Sequence, residues 1–284
     1  MNALITGPTS GIGRALAFAL AQKGYDLLLL VRNPEKGLVL SRELTALFPA
    51  LRTDVITADL SDLASVREAV SYIRSRYVRL DRLFNNAGYA PFQYETVYGI
   101  EKSFVTNHLG HFLLTTRLLD LLGASGDGRV IQVASDAHLL GSTRRFFRGQ
   151  SQWVWSAYAD GKLANMLFVR ELAQRYAHRA VTAFSFHPGF VKTGFARRLS
   201  PFWRFVLKRM SFLMISPEKG AETGLYLATA PIGLLQRFSG YYFVRSRPVR
   251  VLNSGFTDDE ARFLWKKSGE VITRVFPDER PETE

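Results

Sequence analysis

The stretch Asn2-Ala3-Leu4-Ile5-Thr6-Gly7-Pro8-Thr9-Ser10-Gly11-Ile12-Gly13-Arg14-Ala15-Leu16 decides how the chain is read. Residues 2–6 have the short apolar pattern of a buried strand, and residues 14–23 repeat apolar positions at helical spacing. Between them, Gly7, Gly11 and Gly13 let the backbone turn tightly and approach a pyrophosphate seated on the free N–H groups of a helix start. The spacing is not Gly-x-x-x-x-Gly-Lys-Ser/Thr, which disfavours a P-loop nucleotidase.

Working outward, residues 25–31 form a leucine-rich run suited to a strand buried on both faces, and Arg32 follows its end. An acidic residue in that region suits a ribose 2′-hydroxyl, whereas arginine suits a 2′-phosphate. Asp26 lies at the wrong end of the strand and Glu35 beyond a proline, so Arg32, with Arg14 as a second candidate, points to NADP. A solvated arginine at a strand end is the other reading.

The alternation continues with an expected helix at 34–48, a strand at 52–57 ending at Asp59-Leu60, and a helix opened by Ser61 with Asp62 in its first turn. A strand at 80–84 closes on Asn85-Asn86-Ala87-Gly88, residues small enough to pack beside a flat cofactor. One long helix is expected at 101–122, carrying Asn107, His108 and His111. The histidine pair invites a metal reading, but no further ligand lies nearby in sequence, so packed or locally hydrogen-bonded rings are expected. A strand at 128–134 leads to Ser135, and a strand at 180–186 leads to His187-Pro188-Gly189-Phe190-Val191-Lys192-Thr193. A helix at 217–230, a strand at 241–244 and a weakly patterned tail after Thr257 complete the chain. These βα alternations imply an α/β fold, a single-domain, doubly wound, Rossmann-like parallel sheet of about seven strands.

Tyr158 and Lys162 stand four residues apart at the head of an apolar-periodic run, so a helix places them on one face. A tyrosine hydroxyl titrates near pH 10, too high for acid-base work at neutral pH. An ammonium about 5 Å away favours the phenolate by roughly 3 kcal/mol at an effective dielectric of about 20, or about 2 pKa units. Such a pair arises by chance in many chains, so its company decides its meaning.

Composition narrows the classes. The 284 residues are 47% hydrophobic and 22% charged, within the globular range, and contain no cysteine, which excludes disulfides, thiolate metal sites and thiol nucleophiles. No charged-then-apolar leader precedes the first strand and the longest apolar run is short, so a cytoplasmic location is expected. The net charge of +12 favours an anionic partner: nucleic acid, acidic lipid headgroups or a phosphate-rich cofactor. The basic residues form no recognised nucleic-acid module, and no nucleic acid is expected.

In their order, these pieces resemble the short-chain dehydrogenase/reductase family over nearly the whole chain. Thr6-Gly7-x-x-x-Gly11-x-Gly13 resembles its cofactor loop, Asp59-Leu60 its adenine contact, Asn85-Asn86-Ala87-Gly88 its mid-sheet motif, and Pro188-Gly189 with Thr193 its nicotinamide-side loop. Asn107, Ser135, Tyr158 and Lys162 match its catalytic positions. Residues 106–112, Ser135-Asp136-Ala137-His138, Lys162-Leu163-Ala164-Asn165 and residues 216–221 are most similar to the retinol-dehydrogenase-like branch. The resemblance implies that Gly7, Ser10, Gly11, Ile12, Gly13, Arg32, Asp59, Leu60, Asn86, Ala87, Gly88, Tyr158, Lys162, Pro188, Gly189, Val191 and Thr193 bind NADP. It also implies that Tyr158 exchanges a proton with the substrate oxygen, that Lys162 lowers its pKa and holds the nicotinamide ribose, that Ser135 hydrogen-bonds the oxygen, and that Asn107 holds a water. Gly161 stands where a small hydroxyl residue is common, at a helix cost of about 1 kcal/mol relative to alanine.

The resemblance places a substrate lid at 194–216, a segment that is both greasy and basic, with Phe202, Phe205, Val206, Leu213 and Ile215 beside Arg197, Arg204 and Lys208. Two readings stay open: a lid packed on the sheet, or one that also touches an anionic membrane. Either favours a lipophilic alcohol, aldehyde or ketone as substrate. A catalytically idle NADP-binding protein is the alternative, though it has no need of Ser135, Tyr158 and Lys162 together. The oligomeric state is not readable from the sequence.

Overall fold

The computed structural model describes residues 1–90, 93–149, 154–176, 179–191 and 214–278. Strand β1 (Asn2–Thr6) runs through the glycine loop into α1 (Gly11–Gln22). Gly7 and Gly11 have φ of 64° and 53°, the left-handed region that glycine enters without strain. Gly13 is needed for closeness instead: a Cβ there would lie 2.3 Å from the Gly7 carbonyl oxygen and 2.4 Å from Asn86 Nδ2. Ser10 precedes α1 without a side-chain cap bond, and no acidic residue occupies the first turn. The leading N–H groups and the positive end of the dipole are therefore left to an outside anion.

The chain then alternates through β2 (Asp26–Val31), α2 (Pro34–Leu47), β3 (Thr53–Thr57), α3 (Leu63–Arg76) and β4 (Arg82–Asn85). Asn33 caps α2 by accepting from Lys36 N at 2.9 Å, ahead of Pro34 at the first helical position. Asp62 accepts from Ala64 N at 3.0 Å, so it is the cap of α3 and the helix opens after it rather than at Ser61. A short hairpin of β5 (Thr96–Val97) and β6 (Ile100–Glu101) leads into the stretch expected as one helix. It is divided instead: α4 (Lys102–Phe104) passes into a π-helical turn (Val105–Leu109), then α5 (Gly110–Thr116), and α6 (Leu119–Gly123) follows a break. After β7 (Gly128–Val133) come α7 (Val154–Tyr176), β8 (Val181–His187), the helix Pro217–Thr229, β9 (Tyr242–Val244), β10 (Arg247–Val249) and a C-terminal helix, Asp258–Val275.

Among the described residues the main sheet has eight strands in the order β10-β9-β8-β7-β4-β1-β2-β3. All ladders are parallel except that of β10, so the sheet is seven parallel strands plus an antiparallel edge that the sequence reading lacked. Arg245 and Ser246, with φ of 50° and 61°, turn β9 back into that edge, where Pro248 needs no ladder donor. Two apolar cores cover the two faces. Leu4, Leu28, Leu83, Val130 and Ala183 point to the side of α3, α5, α7 and the C-terminal helix. Their neighbours Ile5, Leu29, Phe84, Ile131 and Phe184 point to the side of α1 and Pro217–Thr229. Continuous apolar strands are thus explained by burial on both faces.

The tail after Thr257 is far better ordered than its pattern suggested. Thr257 Oγ1 accepts from Glu260 N at 3.2 Å, Asp258, Asp259 and Glu260 fill the first turn, and Arg274 stands in the last. Trp265 stacks on Phe168 of α7 with ring centroids 5.7 Å apart and meets Phe112 of α5 edge-on at 5.1 Å. Among the described residues, no helix is long and apolar enough to cross a membrane.

Candidate active site

The chain builds outward from β1 through β2 to β3 on one side and from β4 on the other, so the order reverses between β1 and β4. Ligands of doubly wound sheets sit at the carboxyl ends beside such a reversal. Thr6, the last residue of β1, is fully buried there, and its Oγ1 accepts from Asn86 N and Ala87 N, both at 2.9 Å. Asn86 Nδ2 donates back to Thr6 O at 2.8 Å and Gly7 O at 3.2 Å. A Cβ on Gly7 would come within 3.0 Å of Ala87 Cβ. The glycine loop and the Asn86-Ala87-Gly88 segment are therefore one rigid cradle.

The opposite wall carries the titratable groups. Tyr158, half-buried on α7, is hydrogen-bonded to Ser135, which follows β7. Ser135 Oγ also accepts from Ala137 N at 3.2 Å, which aims the hydroxyl by capping a short 3₁₀ turn, Asp136–Leu140. Lys162 is buried, donates from Nζ to Val133 O at 3.1 Å, and lies 5.5 Å from the centroid of the Tyr158 ring. A Cβ on Gly88 would meet Asn107 Oδ1 at 3.5 Å and Lys162 Nζ at 3.6 Å, so cradle, π-turn and α7 converge on one point. Gly161 lets α7 approach the π-turn, for a Cβ there would lie 3.2 Å from Asn107 Cβ. The glycine thereby lets α7 bring Lys162 close to Asn107.

One expectation is corrected by this geometry. Burial raises the Tyr158 hydroxyl above its ordinary value, and the Ser135 hydrogen bond is what pulls it down; the Lys162 ammonium lies over the ring and does not offset the burial. Burial also lowers Lys162 itself, to about 8. Asn107 turns its side chain to Tyr89, with Oδ1 accepting from Tyr89 N at 2.7 Å and Nδ2 donating to Tyr89 O at 2.8 Å. Its main-chain carbonyl accepts from His111 Nδ1 at 3.0 Å. Asn165, with its amide nitrogen facing the carbonyls, donates to Asn107 O at 2.7 Å while its oxygen accepts from Gln132 Nε2 at 2.8 Å.

The remaining candidates divide. Arg32 is exposed at the end of β2 and makes no hydrogen bond or ion pair among the described residues, whereas Arg14 is engaged by Glu43 and lies over the Phe18 ring. Asp59 Oδ1 accepts from Ser61 N and Oγ at 2.9 and 2.8 Å, and Leu60 is buried with its carbonyl 2.4 Å from where a Gly110 Cβ would stand. Gly189 has φ of 85°, and Val191 bridges to Ile215, which holds the loop after Pro188 against the chain entering Pro217–Thr229. Thr193 and nearly all of the 194–216 segment lie outside the described residues. Tyr89 and Val133 act only through backbone atoms, which no residue type announces in a sequence.

The close glycine loop, the uncapped start of α1 and the exposed Arg32 fit a dinucleotide laid across β1 and β4. A comparison of sequences agrees: the family described as short chain dehydrogenase matches residues 1–202. The chain belongs to the short-chain dehydrogenase family of oxidoreductases. Within it the chain falls in the retinol-dehydrogenase-like branch, being 35% identical over 273 residues to retinol dehydrogenase 11 of Homo sapiens, with 95% of this chain and 85% of that protein covered. Among solved structures, an uncharacterized protein from Mycobacterium Paratuberculosis superposes with a TM-score of 0.73 at 29% identity, covering 95% of this chain and 92% of its own. The RhlG/NADP complex of Pseudomonas aeruginosa superposes at 0.68 with 25% identity, covering 90% and 95%.

Proposed function

We propose that this oxidoreductase uses NADP(H) to interconvert a lipophilic alcohol and its aldehyde or ketone. The observation that carries the reading is the Tyr158 hydroxyl on Ser135, with the buried Lys162 ammonium beside it and the Gly7–Asn86 cradle opposite. When bound, the nicotinamide supplies or takes the hydride. Tyr158 moves the proton at the substrate oxygen, and Ser135 donates a hydrogen bond to that oxygen as its charge grows. Lys162 holds the nicotinamide ribose and keeps positive charge at the site. Asn107, through Tyr89, fixes the backbone next to Gly88 and is a positioning residue. Arg32, open at the end of β2, is the group for a 2′-phosphate.

Support for a lipophilic substrate comes from exposed apolar side chains on the elements that carry the site. Leu139 and Leu140 after Ser135, Trp155 one turn ahead of Tyr158, and Phe190 after Pro188 are 52%, 73%, 40% and 48% exposed. Each issues from an element that also carries a site residue, and such exposed apolar groups favour a greasy ligand over a sugar. The name of the human relative points the same way. The test is steady-state kinetics with NADPH and NADH on aldehydes of rising chain length. Rates should rise with length and favour NADPH, and Arg32→Asp should weaken or reverse that preference. Equal use of NADH by the unaltered protein removes the role of Arg32, and rates flat in chain length remove the lipophilic substrate.

A further inference from the structure

His111 lies between the cofactor cradle and the catalytic wall and belongs to neither. It is buried on α5, and burial holds its ring near pKa 4, against the opposing bond to Asn107, so it is neutral at physiological pH. Because Nδ1 faces the Asn107 carbonyl at 3.0 Å, Nδ1 carries the proton and Nε2 is an acceptor. Thr6 Oγ1 stands 2.9 Å from Nε2. That hydroxyl already accepts from Asn86 N and Ala87 N, so its single proton goes to Nε2, with Phe84 O as the other acceptor at 3.2 Å. The result is an unbroken buried series: Asn86 and Ala87 N–H to Thr6, Thr6 to His111, His111 to the Asn107 carbonyl. It joins residues 105 positions apart. Asn107, the last link, sits within the π-turn.

We infer that His111 is a positioning residue that couples the dinucleotide loop to the π-turn holding Asn107, so that filling the loop tightens the catalytic wall and loosening the wall weakens the loop. The inference rests on the NADP reading for its ligand. Thr6 is set by both sides at once, and a change of its proton from Nε2 to Phe84 O would break the coupling without orphaning either partner in the cradle.

The test combines His111→Asn, which keeps a donor toward the Asn107 carbonyl and drops the acceptor toward Thr6, with Thr6→Val and Thr6→Ser. NADPH affinity is read by fluorescence titration, with thermal unfolding as the check on folding. His111→Asn and Thr6→Val should each weaken NADPH by about 5- to 10-fold, the double variant should be no worse than Thr6→Val, and Thr6→Ser should bind like the unaltered protein. Unchanged affinity in folded His111→Asn overturns the inference, as do losses that multiply in the double variant. If a variant does not fold, ¹⁵N NMR of the unaltered protein decides: a neutral His111 protonated at Nδ1, with signals that move on adding NADPH, supports the coupling, and an Nε2-protonated ring or unmoved signals overturns it. Failure of the unaltered protein to bind NADPH sinks the cofactor reading instead, and the ring's tautomer still tests the link.

Discussion

Strand β7 holds a buried cation at each end, and the two are treated oppositely. At its amino end Arg129 gives Nε and Nη2 to the two oxygens of Asp127 at 2.8 and 2.7 Å, and Nη1 to the carbonyls of Leu227 and Ala230 at 2.9 and 2.7 Å. Arg82 shares the same carboxylate at 3.1 Å and donates to Ala228 O at 2.6 Å. Burial works to raise the Asp127 carboxyl, but the two guanidiniums overcome it and hold it below its usual range. At the carboxyl end Lys162 has a backbone carbonyl, Val133 O, and, among the described residues, no carboxylate, so burial drags its pKa to about 8. A structural cation is thus matched by charge and carbonyls at the end of Pro217–Thr229, whereas the cation at the candidate site is left under-compensated and poised to titrate.

The comparison is open to breakage, beginning with the largest effect. Tyr158→Phe removes the transferable proton from the under-compensated end and should lower kcat by about 10²- to 10⁴-fold, with NADPH affinity nearly unchanged. Turnover and titration on the same sample check this, and a near-normal rate would make the Tyr158–Lys162 pair an ordinary helix face. Arg129→Met strips the compensated end, leaving Asp127 with Arg82 alone and two helix-end carbonyls without their guanidinium partner, and should destabilise by about 3 to 5 kcal/mol in a denaturant titration. A loss below 1 kcal/mol would mean that water or Arg82 replaces it.

Acid should act on the candidate-site end through its neutral histidines. Burial lowers His108 to about 3, with His111 adding to it, and His111 to about 4, while the unfolded values lie near 6.5. The unfolded chain therefore binds more protons below pH 6.5, and the stability present above that value is lost as pH falls, by about 2 kcal/mol per ring at pH 5. Chemical denaturation from pH 7.5 to 5 measures it, and His111→Asn should remove part of the slope. Lys162→Met should cut turnover yet leave the melting temperature at pH 7 unchanged or higher, because a buried charge without a carboxylate is lost. The slope has the same sign as for the histidines but lies at alkaline pH: the folded pKa of about 8 is below the unfolded value near 10.4, so the unaltered protein gains stability between these pH values and the gap to the variant closes. The smallest effect belongs to the C-terminal helix. Ser268 Oγ gives its proton to Leu264 O at 2.8 Å and accepts from His108 Nε2 at 2.7 Å, so Ser268→Ala should cost about 1 to 2 kcal/mol by orphaning that ring N–H.

The sequence by itself determined what depends on neighbours along the chain. Gly7 and Gly11 announce a loop because their backbone angles are local needs, and apolar runs such as Asp26–Val31 announce buried strands. The order of Thr6-Gly7, Asn86-Ala87-Gly88, Ser135, Tyr158 and Lys162 along the chain was legible for the same reason, since the first three close or follow a strand and the last two share one helix, α7. The C-terminal helix was locally signed too, by Thr257 and Glu260, but Lys266-Lys267-Ser268-Gly269-Glu270 diluted its apolar face and hid it. Only the tertiary structure decided the electrostatics. Four residues of helix put Lys162 near Tyr158, yet whether its charge reaches the hydroxyl depends on Val133 O, brought from 29 positions away, and on how much water the packing leaves. The break of the expected helix at the π-turn, the tie from His111 to Thr6 and the seating of Arg129 against Ala230 have the same origin. Their partners lie on other elements, and a donor's choice among distant acceptors is made by packing, which leaves no periodic trace in the sequence.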